Sequence, residues 1–288
     1  MHDPFQKVWF CLMINGRRIQ LAVKKVRLGK SNLIVSKFIF GTAKLHNIHS
    51  KRERNRILNL AVEAGFTHFD TSPLYGFGIA EEEIGVLLKL YPELSLTSKY
   101  GLFVPGRKNK FKFEVYAQKS LGKLLPAVSA VRTNFQVDFA RTSLQSSLAR
   151  LKRDYIDIFL LHEPPKNLEN LDETLQFLLD VKSQGLIRSF GVTGKCNVIE
   201  YFRDNAPEIL EVIQMEAQHD LPLGDLGQSD IFGGIITYGY GNLGASNNLG
   251  YIDSIQKGLM QNPNGAIIVS TNKSNRVSQY QDISRDAK

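Results

Sequence analysis

The chain has 288 residues, 43% of them hydrophobic and 22% charged, proportions of a globular protein with one large core rather than a disordered or disulfide-scaffolded chain. No apolar run approaches the roughly 20 residues that cross a bilayer. Val8 to Ile14 is too short and too poorly flanked for a signal peptide, and Cys11 and Cys196 lack the spacing of a zinc site or a disulfide framework. The expectation is a cytoplasmic protein with no membrane partner and no metal.

In chain order, residues 1–22 read as an appendage in which Asn15-Gly16 marks a hairpin turn, and Leu28 to Val35 reads as a second hairpin. From Lys37 onward short apolar runs alternate with helical patterns, the signature of successive strand–helix units and a parallel sheet. The first strand is Phe38-Ile39-Phe40, followed by Gly41-Thr42. In the next helix Ser50 and Glu53 make a capping box, Ile57, Leu60, Ala61 and Ala64 form the apolar face, and Gly65 is the stop. His68 to Asp70 is the second strand. Ala80 to Leu90 is a helix with Glu81, Glu82 and Glu83 in its first turn, where carboxylates meet the positive end of the macrodipole. Leu94 to Lys99 is the third strand.

Leu102 to Phe139 then interrupts the rhythm. Between Leu102 and Arg132 it carries Arg107, Lys108, Lys110, Lys112, Lys119, Lys123 and Arg132 against the single acid Glu114, and so concentrates much of the formal net charge of +8. That charge admits an anionic partner, but no nucleic-acid motif accompanies it and no nucleic acid is expected. Ala140 to Lys152 is helical, with Leu144, Leu148 and Leu151 on one face. Tyr155 to Leu161 is a nearly continuous apolar strand, which implies burial on both sides. Leu171 to Gln184 is a helix stopped by Gly185. Ile187 to Val192, Val212 to Met215, Ile235 to Tyr238 and Ala266 to Val269 complete eight strands, while Leu221 to Gly234 leaves room only for a vestigial sixth helix. The pattern predicts an α/β fold, a parallel eight-stranded (β/α)8 TIM barrel over residues 23–288, with Leu28 to Val35 placed to plug its bottom.

In such a barrel the reactive groups stand where strands end. The second strand ends in Asp70-Thr71-Ser72-Pro73-Leu74-Tyr75-Gly76, the third in Lys99-Tyr100-Gly101 and the fourth in His162-Glu163-Pro164. Taken singly these are a turn residue, a packed aromatic, a solvated strand end and a satisfied histidine. Converging over one mouth they suit proton donation to a carbonyl. A phenol with a reference pKa of about 10 needs a nearby ammonium to stabilise its phenolate; Lys99 supplies one, Asp70 holds Lys99 in place, and His162 orients the carbonyl.

Within FDTSPLYG, LTSKYG and DYIDIFLLHEP, and with SLQSSLARL and GLIRSFGVTG beside them, the chain resembles the aldo-keto reductase family over roughly Val26 to Gln281. The resemblance implies reduction of a small-molecule aldehyde or ketone by hydride transfer from NADPH, or from NADH, with Asp70, Tyr75, Lys99 and His162 as the catalytic tetrad. It places Gly41 and Thr42 by the nicotinamide ribose, Thr193 and Gln214 at the carboxamide, and Tyr238 on the ring with Gly239 beside it. Ser270, Thr271 and Arg276 fall at the adenosine phosphate, and Gln279 near the adenine. A glycine-rich Rossmann loop is absent, as that binding mode implies.

Three departures stand out. Gly194 replaces the usual asparagine, Gly239-Tyr240-Gly241 replaces Ser-Pro-Leu, and Ser270 replaces a frequent lysine, which weakens any strict preference for NADPH. With little chain beyond Gln281, Leu102 to Phe139 is left as the expected lid, its basic residues favouring anionic carbonyls. The alternative is a reductase-like barrel that binds cofactor and regulates with little turnover; a complete tetrad argues against it.

Overall fold

A computed structural model describes residues 9–14, 17–22, 24–105, 130–218, 234–241 and 250–286. Trp9–Ile14 and Arg17–Ala22 pair antiparallel, Ile14 opposite Arg17, across the Asn15-Gly16 position, and form a sheet of their own. Eight parallel strands close a barrel: β1 (Phe38–Gly41), β2 (His68–Asp70), β3 (Ser95–Tyr100), β4 (Ile156–His162), β5 (Ile187–Gly194), β6 (Val212–Glu216), β7 (Ile236–Tyr238) and β8 (Ala266–Val269). Each pairs with the next, and β8 returns to β1.

Side chains alternate along these strands because a strand's period is two. Ile39, Ile158, Leu160, Val212, Ile236, Ala266 and Ile268 share the barrel interior. Phe38, Phe40, Phe159, Leu161, Ile213, Ile267 and Val269 belong to the larger cluster between barrel and helices. Strands such as β1, β4 and β8, which feed both clusters, are therefore largely apolar on both faces and stand out in the sequence, whereas β2 and β3 bury His68, Asp70, Ser95, Thr97, Ser98 and Lys99. Helices α1 (Lys51–Glu63), α2 (Ile79–Leu90), α3 (Val137–Leu151), α4 (Leu171–Ser183), α5 (Cys196–Asn205), α6 (Tyr251–Gln261) and α7 (Ser274–Asp286) surround them. As the capping box requires, the Glu53 N–H donates to Ser50 Oγ at the start of α1, and Gly65 follows its end at φ 92°, a value only glycine adopts without strain.

The second hairpin, Lys25–Arg27 against Ile34–Ser36, closes the barrel bottom. Val26, Leu28 and Val35 join the interior cluster, and the N–H groups of Gly29 and Lys30 donate to the carbonyls of Gly234 and Glu211. Leu28 is 0% exposed. Leu28→Ala is expected to cost about 2–5 kcal/mol, the range for emptying a leucine site in a packed core. The loss is read as a lower denaturant midpoint; a cost within experimental error would mean that the plug is not packed.

Three helices, α5, α6 and α7, have no counterpart in the sequence reading. In α5 only Cys196, Ile199 and Phe202 are buried, and its N-cap Lys195 makes no side-chain capping bond; α6 buries mainly Ser254, Ile255 and Gly258. Both lack a long apolar stripe. The basic insertion is tied at its ends, where Leu102–Phe103 pairs antiparallel with Arg132–Thr133. Residues 106–129, and with them most of the expected lid, lie outside the described residues, as do 219–233, where a vestigial sixth helix is expected.

Candidate active site

Strand β2 delivers Asp70 and then turns sharply. The Ser72 carbonyl accepts from the Tyr75 N–H at 3.0 Å, a β-turn with Pro73 at its second position, where the fixed φ of proline is favourable. The turn brings Tyr75 back over the strand ends. Lys99 faces the interior because its register partner on β4 is Leu160, an interior residue. His162 is the last residue of β4 and lies opposite Thr193 of β5.

Lys99 Nζ donates to Asp70 Oδ1 at 2.7 Å and Oδ2 at 2.6 Å, and to the Thr71 carbonyl at 2.9 Å. It stands 3.5 Å from Tyr75 Oη and 5.1 Å from the centre of the tyrosine ring. The rings of Tyr75 and His162 meet edge to face, centroids 6.1 Å apart. His162 Nδ1 is 3.3 Å from Ser72 Oγ. All four members of the expected tetrad therefore line one cavity of about 360 Å³.

Burial pushes the Asp70 carboxyl up and the Lys99 ammonium down, and each opposes the other's shift; Gln214 also hydrogen-bonds the carboxylate. The Tyr75 phenol is pushed well above its usual value, first by burial and then by Asp70, Tyr238 and Glu163. Asp70, 2.6 Å from the Lys99 ammonium, opposes its effect on the phenol, so the tyrosine rests in its protonated, proton-donating form.

His162 and the buried His68, whose ring bonds Ser95 Oγ and Thr97 Oγ1 at 2.7 and 2.8 Å, are both held down to about 3 by burial and then by the Lys99 charge. An unfolded histidine titrates near 6.5. As pH falls below that value the unfolded chain takes up protons that the folded protein refuses until about 3, so both groups withdraw stability across this window and contribute none above it. The stability of wild type relative to His68→Gln should accordingly drop by about 1.4 kcal/mol per pH unit between pH 6 and 4. A difference that stays flat in urea titrations at those pH values contradicts the assignment.

Among the residues expected at a dinucleotide, Thr193, Gln214, Tyr238, Gly239 and Ser270 line the same cavity. Tyr238 is pushed up by burial and by Glu163 and Glu216, and it hydrogen-bonds Thr193. Gly41 lies beneath Ser270: a Cβ there would sit 2.3 Å from Ser270 Oγ. Thr42 and Thr271 are buried outside the lining; Thr42 Oγ1 donates to the Asp70 carbonyl and Thr271 Oγ1 accepts from the Lys273 N–H. The Arg276 guanidinium stacks 5.0 Å over Tyr251, which lines the cavity. Gln279 is exposed on α7 and does not reach the cavity.

Residues to which the sequence reading gave no role at the site also line the cavity. Tyr251 opens α6, Leu102 roots the insertion, and Glu163 reaches in from a left-handed backbone at φ 54°. The only signal for Glu163 is its place directly after His162. Gln214 Oε1 is buried with no hydrogen-bond partner among the described residues. An orphaned acceptor on a cavity wall fits a ligand that brings an N–H, such as a carboxamide.

The sequence profile of the Aldo/keto reductase family matches residues 37–214, more than half of the chain. The NADH-specific methylglyoxal reductase of Escherichia coli is 29% identical over 179 residues, 59% of this chain and 51% of that protein. The chain spans about half the length of the curated relatives it matches. Among solved structures, the holo form of an aldo-keto reductase from Bacillus halodurans superposes with a TM-score of 0.68 at 20% identity, covering 91% of this chain and 90% of that one. An aldo-keto reductase from Klebsiella pneumoniae in complex with NADPH gives 0.58 at 17% identity, covering 92% and 90%. With the matched segment running from the first barrel strand through Gln214, and with the closed barrel beneath it, the chain belongs to the aldo/keto reductase family.

Proposed function

We propose that this protein is an NAD(P)H-dependent reductase of aldehydes or ketones in which Tyr75 is the proton donor. The observation that carries the reading is the buried Asp70–Lys99 pair, 3.5 Å from Tyr75 Oη and opening with His162 onto one cavity. A dinucleotide bound there supplies the hydride. Tyr75 gives its proton to the oxygen of the reduced carbonyl, Lys99 meets the phenolate that remains, and Asp70 keeps Lys99 charged and aimed. His162, neutral near pH 7, orients the carbonyl by a hydrogen bond and leaves the acid role to the phenol.

Gln214 and Thr193 would hold the carboxamide through the orphaned Oε1 and the neighbouring hydroxyl, Tyr238 would lie against the ring with Gly239 beside it, and Gly41 and Thr42 would shape the ribose end. Ser270, Thr271 and Arg276 would take the adenosine phosphate, with Gln279 outside it. The E. coli relative is NADH-specific and the Klebsiella structure holds NADPH; for this chain Arg276 favours NADPH. Arg276→Ala is expected to weaken NADPH binding by about tenfold or more, the worth of a charge-assisted hydrogen bond, and NADH binding far less. Equal losses for the two cofactors would remove Arg276 from the phosphate.

The whole reading is tested by following NADPH and NADH oxidation with a panel of neutral and charged aldehydes. Carbonyl-dependent oxidation is expected. A folded protein that binds the cofactor and oxidises none of it in the presence of carbonyls would be a binding protein.

A further inference from the structure

Orienting a carbonyl requires an N–H, not a lone pair, on the cavity side of His162. A neutral imidazole has one N–H, and the partner of the other nitrogen decides where it sits. Nδ1 faces Ser72 Oγ at 3.3 Å, and Nε2 has no partner among the described residues while the ring lines the cavity.

Ser72 is 1% exposed, so its hydroxyl must be satisfied inside the protein. Its oxygen already accepts the Leu74 N–H at 3.2 Å. Two arrangements remain. If Nδ1 carried the proton, Ser72 Oγ would accept a second time, its own O–H would be stranded among the described residues, and the Nε2 lone pair would face the carbonyl oxygen. If Ser72 donates to Nδ1, the hydroxyl proton, the Nδ1 lone pair and the Leu74 N–H are all paired, and Nε2–H is left for the cavity.

We propose that Ser72 is a positioning residue whose hydroxyl donates to His162 Nδ1 and fixes the Nε2–H tautomer that meets the substrate carbonyl. The same residue sets the other half of the site, since its backbone carbonyl closes the turn that carries Tyr75. One serine thereby registers the proton donor against the orienting histidine. Its part in turnover rests on the reductase reading; the tautomer does not.

The test is 15N NMR of histidine-labelled protein at pH 7, with the His162 signals among the 6 histidines assigned by their loss in His162→Gln. Wild type is expected to show Nε2 protonated and Nδ1 unprotonated and hydrogen-bonded. Ser72→Ala should move the Nδ1 resonance toward that of a free acceptor, and Ser72→Thr should restore it. With a reducible aldehyde, kcat should fall roughly tenfold in Ser72→Ala, the effect of one lost hydrogen bond, recover in Ser72→Thr, and leave cofactor affinity unchanged.

A protonated Nδ1 in wild type overturns the proposal even if Ser72→Ala fails to fold. So does an Nδ1 resonance that ignores Ser72→Ala, or a kcat that ignores it in an active enzyme. A chain with the expected tautomer that reduces no carbonyl would sink the reductase reading and leave the tautomer assignment standing.

Discussion

Replacing Tyr75 by phenylalanine is expected to lower kcat for carbonyl reduction by about a hundred- to ten-thousand-fold, the usual contribution of a positioned general acid. The substitution is clean. Phenylalanine retains the ring that lies 5.1 Å from Lys99 Nζ and meets His162 edge to face, and it removes only the oxygen 3.5 Å from the ammonium. Cofactor affinity should be unchanged, because the phenol acts on the carbonyl and none of the residues assigned to the dinucleotide depends on it. Turnover and cofactor titration are measured on the same samples. Turnover within a few-fold of wild type would take the proton-donor role away from Tyr75.

The barrel is legible in the sequence for a physical reason. Strands buried on both faces must be largely apolar, and Ile156–His162 reads that way apart from Asp157, which is buried in ion pairs with Arg153 and Arg188, and its final residue. The tetrad is legible because the topology brings strand ends together, so polar residues at the ends of β2, β3 and β4 become neighbours. What depends on distant parts of the chain is not legible. Lys37 directly precedes β1, yet it is 2% exposed and donates to the carbonyls of Asn262, Pro263 and Gly265, and burial with the nearby Lys24 charge pulls it down to about 7. Nothing around residue 37 marks that clasp on the turn after α6. Ser72 lies inside a recognisable motif, but its contact is with a histidine ninety positions away. The balance at Tyr75 is hidden likewise, because it turns on how completely Asp70 neutralises Lys99, and that is set by two distances.

Breaking that pair has the largest expected effect on stability. Lys99 and Asp70 are 1% and 4% exposed in their side chains. Lys99→Met strands a buried carboxylate with Gln214 as its remaining side-chain donor. Asp70→Asn strands an ammonium with the Thr71 carbonyl and the Tyr75 hydroxyl. Each single substitution is expected to cost about 3–5 kcal/mol, the range for removing one partner of a buried ion pair. The double variant leaves no buried charge at this point, and neutral side chains of similar volume commonly replace a buried pair at little cost; it should therefore recover most of the loss, with a coupling energy far from zero. Activity should stay lost, since nothing then meets the phenolate that forms on Tyr75. Urea unfolding and kcat on the four proteins separate the two effects. Additive losses in stability would show that Asp70 and Lys99 do not act as a pair, and a double variant that regains turnover along with stability would show that the pair serves the fold alone.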